Sequence, residues 1–130
     1  FKNRLPQSKP IKMKKILVIE DNPMVIKSLQ FKLTKDGYDV IIAPDGREAM
    51  KLLKDATYDL ILTDLNLPFV TGNELIAYVK ENLQAIPIIV LSTSTQESII
   101  MDAFNMGVED FITKPFSPNE LSLRVKRLLS

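Results

Sequence analysis

The 130-residue chain is 45% hydrophobic, enough for one domain with its own core and too little for two. It has no cysteine and no histidine, which excludes a disulfide framework, thiolate chemistry, the commonest transition-metal ligand and any phosphohistidine, so a reaction here falls to carboxylates, hydroxyls and amines. The net charge of +1 is unevenly spread: Lys2, Arg4, Lys9 and Lys12 stand among no acids, leaving 13 bases against 16 acids from Met13 onward, and a body at −3 gives no electrostatic footprint for nucleic acid.

Residues 1–12, with two prolines and no periodicity, read as a flexible basic leader or linker, either foreign to the domain or a join to something upstream. The domain is expected over 13–130. No apolar run approaches the length of a membrane span and the amino end lacks the order of a secretory signal, so a soluble, cytoplasmic protein is expected.

From Met13 on, period and punctuation alternate. The β-branched run KILVIE predicts a strand over 15–20, and Asn22 with Pro23 opens a helix carrying Val25, Ile26, Leu29 and Leu33 until Gly37 stops it. A second strand is predicted over 38–43. Pro44, Asp45 and Gly46 turn the chain into a helix over 47–54, and DLILT predicts a third strand over 59–63, immediately before Asp64. After a loop over 65–72, Asn73 is expected to cap the helix ELIAYVKEN. Pro87 introduces the strand IIVLS, a fourth helix runs over 96–106 to Gly107, and a short strand over 109–113 leads through KPFSP to a last helix over 119–129.

Five strands alternating with five helices imply an α/β fold: a doubly wound parallel sheet, flavodoxin-like, covered by helices on both faces because right-handed crossovers place a helix over each strand pair. In such sheets ligands bind beyond the carboxyl ends of the strands. Along that edge the sequence puts Glu20 and Asp21 after the first strand, Asp64 after the third, Ser92 at the end of the fourth and Lys114 after the fifth. Each alone is an ordinary cap, turn or surface residue. Together they gather three carboxylates, a hydroxyl and an ammonium on one rim.

Two carboxylates about 4 Å apart repel by about 4 kcal/mol at an effective dielectric near 20, so three at close range raise a pKa or recruit a cation. Oxygen donors without His or Cys suit Mg²⁺, and Mn²⁺ could substitute. With a metal and Lys114 sharing the charge on the transferring oxygens, Asp64 can accept a phosphoryl group as an acyl phosphate, while Ser92 hydrogen-bonds another oxygen.

The fragments ILVIEDNP, LILTDLNLP, IIVLST and DFITKPF, in this order at these strand ends, resemble the receiver domain of bacterial two-component response regulators, a likeness extending from Met13 to Leu129. The resemblance implies a strand order of 2-1-3-4-5 and a phosphorylation-activated signalling switch with Asp64 as phosphoacceptor. It implies that Glu20 and Asp21 bind the metal, Asp21 directly and Glu20 through water, with the backbone carbonyl of Asn66 as a further ligand. Ser92 and Lys114 would hold phosphoryl oxygens. Phe111 matches the aromatic switch position, and a core phenylalanine is an equal reading of that residue. Lys114–Pro115 is expected to be a cis peptide.

The donor would be a phosphohistidine on a sensor histidine kinase or histidine phosphotransfer protein, since this chain has no GxxxxGK[ST] nucleotide loop of its own. The output surface would be the fourth helix, fifth strand and fifth helix, where Met101, Phe104 and Met106 offer an apolar patch and a phosphorylation-dependent homodimer could form; the downstream target is not legible. Two rival readings stand beside it: a non-phosphorylated interaction platform that keeps the fold, and an aspartyl-phosphate hydrolase of small phosphoesters that would also use Asp64 and Mg²⁺. The hydrolase commonly places a second aspartate two residues after the nucleophile, where this chain has Asn66. A flavodoxin-type electron carrier ranks last, because carboxylates occupy the rim where a flavin phosphate wants donors.

Overall fold

The computed structural model describes residues 12–130, so the expected leader lies, Lys12 apart, outside the described residues. The strands are β1 (Lys15–Ile19), β2 (Asp39–Ala43), β3 (Leu60–Asp64), β4 (Ile88–Ser92) and β5 (Asp110–Thr113). Between and after them run α1 (Pro23–Lys35), α2 (Gly46–Asp55), α3 (Gly72–Asn82), α4 (Glu97–Asn105) and α5 (Pro118–Leu129). All strand pairs are parallel, in the order β2-β1-β3-β4-β5 that the motifs implied.

Alternation along the central strands assigns the helices to their layers. Ile16 and Val18 of β1, Leu60 and Leu62 of β3, and Ile89 and Leu91 of β4 pack with Leu29 and Leu33 of α1 and with Leu121 and Val125 of α5. The residues between them, Leu17, Ile19, Ile61, Ile88 and Val90, face Ala49 and Leu53 of α2, Leu75, Ile76 and Val79 of α3, and Ala103 of α4. Strands β3 and β4 are buried at every position, which is why their sequences are continuous apolar runs until Thr63 and Asp64 close the one and Ser92 the other.

Four helix starts differ from the sequence expectation: α4 begins one residue later, at Glu97, and α5 one residue earlier, at Pro118, while α3 and α2 start earlier for reasons visible in their caps. The α3 cap is Thr71, two residues before Asn73: its hydroxyl accepts from the Glu74 amide while the Glu74 carboxylate accepts from the Thr71 amide, a reciprocal capping box. Similarly α2 begins at Gly46 with Asp45 as its cap, the Asp45 carboxylate accepting from the Glu48 amide at 2.8 Å. Glycine is required at both first turns by close approach. A Cβ on Gly46 would lie 2.0 Å from the Val70 carbonyl oxygen, and one on Gly72 would lie 2.4 Å from that of Asp64. The helices α2 and α3 therefore start hard against the loop that follows β3.

Candidate functional site

In-register pairing carries the rim residues to one edge. Asp64 lies opposite Leu91 across β3 and β4, Ser92 lies opposite Thr113 across β4 and β5, and the Lys114 amide continues the ladder by donating to the Ser92 carbonyl at 2.7 Å. The neighbouring strand β1 ends at Ile19, after which Glu20 remains tied to β2 through its amide, which donates to the Ala43 carbonyl. Asn22 then caps α1, its side-chain oxygen accepting from the amides of Met24 and Val25. This cap turns the chain sharply enough to leave Glu20 and Asp21 on the rim.

Carboxylate oxygens of Glu20, Asp21 and Asp64 all fall within 4.8 Å of one another. Glu20 is wholly buried and Asp64 nearly so, whereas Asp21 is exposed. Buried charge requires partners. The Lys114 ammonium donates to Glu20 Oε1 and to Asp64 Oδ2, both at 2.8 Å. The second oxygens take backbone amides: Asn22 donates to Glu20 Oε2 and Asn66 to Asp64 Oδ1, each at 3.2 Å. Burial alone would push the Lys114 ammonium down. The hydrogen bonds and charges of Asp64 and Glu20 together outweigh that effect and hold its pKa above 10.5, so it stays charged at neutral pH.

Ser92 is buried and its hydroxyl accepts from the Ser94 amide at 3.1 Å. Phe111 is buried with Val90, Ala103 and Val108 behind β4 and β5. The Lys114–Pro115 peptide is cis. Of the apolar patch, Met101 and Phe104 are exposed, whereas Met106 packs against the core and drops out of it. Beside Lys114 an open groove of about 310 Å³, lined mainly by Met24, Val25, Thr93, Pro115 and Phe116, leads outward between α1 and the β5–α5 loop.

The donor set is oxygen only, and its one ammonium balances one of three carboxylates. Such a site fits a hard divalent cation such as Mg²⁺. It also fits a nucleophilic carboxylate: Asp64 is held from both sides by hydrogen bonds, one of them from Lys114, which lines the groove. Sequence reasoning had Glu20 as a metal residue and missed its direct ion pair with Lys114. The two stand 94 positions apart, and only the alignment of β1 with β5 across the sheet joins them.

Comparisons with known proteins agree with this fold. The family model described as response regulator receiver domain matches residues 16–126. The alkaline phosphatase synthesis transcriptional regulatory protein PhoP of Bacillus subtilis is 39% identical over 116 residues, which cover 89% of this chain and 48% of that protein. The sensor histidine kinase TmoS of Ectopseudomonas mendocina is 38% identical over 118 residues, 89% of this chain and 12% of the kinase. Among solved structures, the chemotaxis response regulator CheY4 of Vibrio cholerae superposes with a TM-score of 0.84 at 32% identity, covering 91% of this chain and 100% of CheY4. The chain thus spans about half the length, or less, of the curated relatives it matches.

Proposed function

The chain belongs to the family of response regulator receiver domains, and from that premise we propose that Asp64 accepts a phosphoryl group from a partner's phosphohistidine and that the resulting charge switches the α4–β5–α5 surface. The carrying observation is the Lys114 ammonium, 2.8 Å from both Asp64 and Glu20, which makes the Asp64 carboxylate a fixed and charge-compensated nucleophile. Mg²⁺ held by Asp21, Asp64 and the Asn66 carbonyl, with Glu20 acting through water, would lower the repulsion between the acids and the incoming phosphoryl oxygens. Mn²⁺, with the same preference for oxygen, would serve there too.

The chain's own groups do the rest. One Asp64 oxygen attacks phosphorus, the phosphorus–nitrogen bond of the donor breaks, and its electron pair returns to the donor imidazole. Lys114 stays charged and follows the oxygens that carry the new charge of about −2. Ser92, buried one strand away, exchanges the Ser94 amide for a phosphoryl oxygen, and the space behind it couples to Phe111.

The partners are a sensor histidine kinase or a histidine phosphotransfer protein, docking where the groove beside Lys114 opens. A phosphorylation-dependent homodimer through Met101 and Phe104 belongs to the same reading. Direct contact of this domain with nucleic acid and with membrane is not expected: the body is acidic, and among the described residues no helix is long and apolar enough to cross a membrane.

Acetyl phosphate with Mg²⁺ tests the proposal by intact mass. The wild type gains one phosphate and Asp64→Ala gains none. An unchanged mass with acetyl phosphate and with a phosphohistidine donor would favour the interaction platform, and catalytic turnover of a generic phosphoester would favour the hydrolase.

A further inference from the structure

The loop between β3 and α3 contains a backbone feature that the phosphoryl chemistry does not use. Phe69 has φ 72°, a left-handed conformation unfavourable for a bulky residue, and the residue is 69% exposed. The Val70 amide donates to the Pro68 carbonyl at 2.9 Å, an i to i+2 bond, so Phe69 is the centre of a γ-turn of the strained, positive-φ kind. An exposed phenylalanine gains nothing from burial there. Something else must hold it.

That something is α2. The Arg47 guanidinium lies 3.8 Å from the centroid of the Phe69 ring, and the adjoining Gly46 amide donates to the Pro68 carbonyl at 3.3 Å. Gly46 is also pressed so closely on Val70 that no side chain fits between them. The γ-turn is therefore gripped on both sides by the first turn of α2. Its other end bears on the site: the Gly72 amide closes the loop onto the Leu65 carbonyl at 3.0 Å, and within that closure the Asn66 amide reaches Asp64 Oδ1.

We propose that Arg47 and Phe69 form a clamp by which α2 fixes the loop after β3, making Arg47 a positioning residue for the phosphoacceptor: it acts through the Phe69 turn on Asn66, and through Asn66 on Asp64. The role of Asn66 at the metal rests on the function proposed above; the clamp itself does not. Loosening the stack frees the turn to relax toward negative φ, which draws Asn66 off the carboxylate and withdraws its carbonyl from the rim.

The test uses the described domain and amide hydrogen exchange by NMR without metal. In Arg47→Ala and in Phe69→Ala, exchange at Asn66 and Val70 rises about threefold, the size of an exposed cation–π contact, while exchange at Leu62 in the sheet is unchanged. The double variant exchanges no faster than either single one, because both remove the same contact. Arg47→Lys, which keeps a cation over the ring, recovers much of the protection. Titrated with Mg²⁺ alone, the two alanine variants bind about threefold more weakly than wild type. Unchanged exchange at Asn66 and Val70 in the single variants, or fully additive effects in the double, would overturn the clamp. A wild type that binds no Mg²⁺ would instead count against the proposed function and leave the exchange result standing.

Discussion

At the residue scale the molecule is organised around Lys114, whose ammonium is the only side-chain cation paired with the rim acids among the described residues. Truncating it leaves the fully buried Glu20 without a counter-charge. Breaking a fully buried pair costs about 3–5 kcal/mol, and the 12% exposure of the Lys114 side chain puts the expected loss toward the lower end. Lys114→Ala should therefore unfold at lower urea concentration than wild type, recover part of the difference in Mg²⁺, and show a weakened response of the α4–β5–α5 surface to phosphorylation. Because the folded pKa of Lys114 is raised, its contribution is complete below the ordinary lysine value of 10.5 and fades as pH climbs through the folded value. Asp36 has the opposite sign: the Ser122 hydroxyl, 2.6 Å away, holds its carboxyl below the usual 3.8, assisted by Lys32. That stability is present above the ordinary carboxyl pKa and vanishes as pH falls through the lower, folded one. Melting curves of Ser122→Ala and wild type should thus differ at neutral pH and converge in strong acid. The acids of the rim were legible in the sequence because each follows an apolar run. The Asp36–Ser122 brace was not, since it depends on how the end of α1 meets α5 across 86 residues.

At the element scale, all ten strands and helices of the described residues follow from periodicity and punctuation, and the misreadings are of bounds: β3 is shifted by one residue so that Asp64 belongs to the strand, β1, β2 and β5 are each one residue shorter than expected, and the larger shift falls at the start of α3. Thr71 and Asn73 are both good caps by residue type. The choice falls on Thr71 because Gly72 must be the residue that touches the Asp64 carbonyl, and Glu74 is then in place to complete the box. Thr71→Ala should cost about 1 kcal/mol, read as a shift in the denaturation midpoint, whereas Asn73→Ala should cost a few tenths at most. Helix α4 shows the converse: its cap residue Gln96 makes no side-chain capping bond and its outer face exposes Met101 and Phe104. A weakly capped helix with little buried surface is a low-energy place for a shape change.

For the whole molecule, the sheet joins the two ends of the proposed switch. Asp64 and Ser92 lie on adjacent strands, and Ser92 is paired with β5, whose Phe111 is already packed inside. Converting one surface shape to the other from 1:99 to 99:1 requires about 5.5 kcal/mol of differential stabilisation. That is within reach of a doubly charged group set beside an ammonium in a nearly buried site. Fold and rim could be read from a single sequence because a parallel sheet forces its strand ends to one edge. The Arg47–Phe69 stack could not, because nothing in the spacing of FVTG announces a left-handed phenylalanine.

The crowding of three acids, of which only two share an ammonium, has a practical corollary. Like charges at 4.8 Å or less repel one another, so a bound divalent ion should act as a heat stabiliser, adding about 2.7 kcal/mol at a hundredfold excess over its dissociation constant. The chain has no tryptophan to report occupancy by fluorescence. Its melting temperature should serve instead, rising with magnesium concentration in the wild type and staying flat in Asp21→Ala.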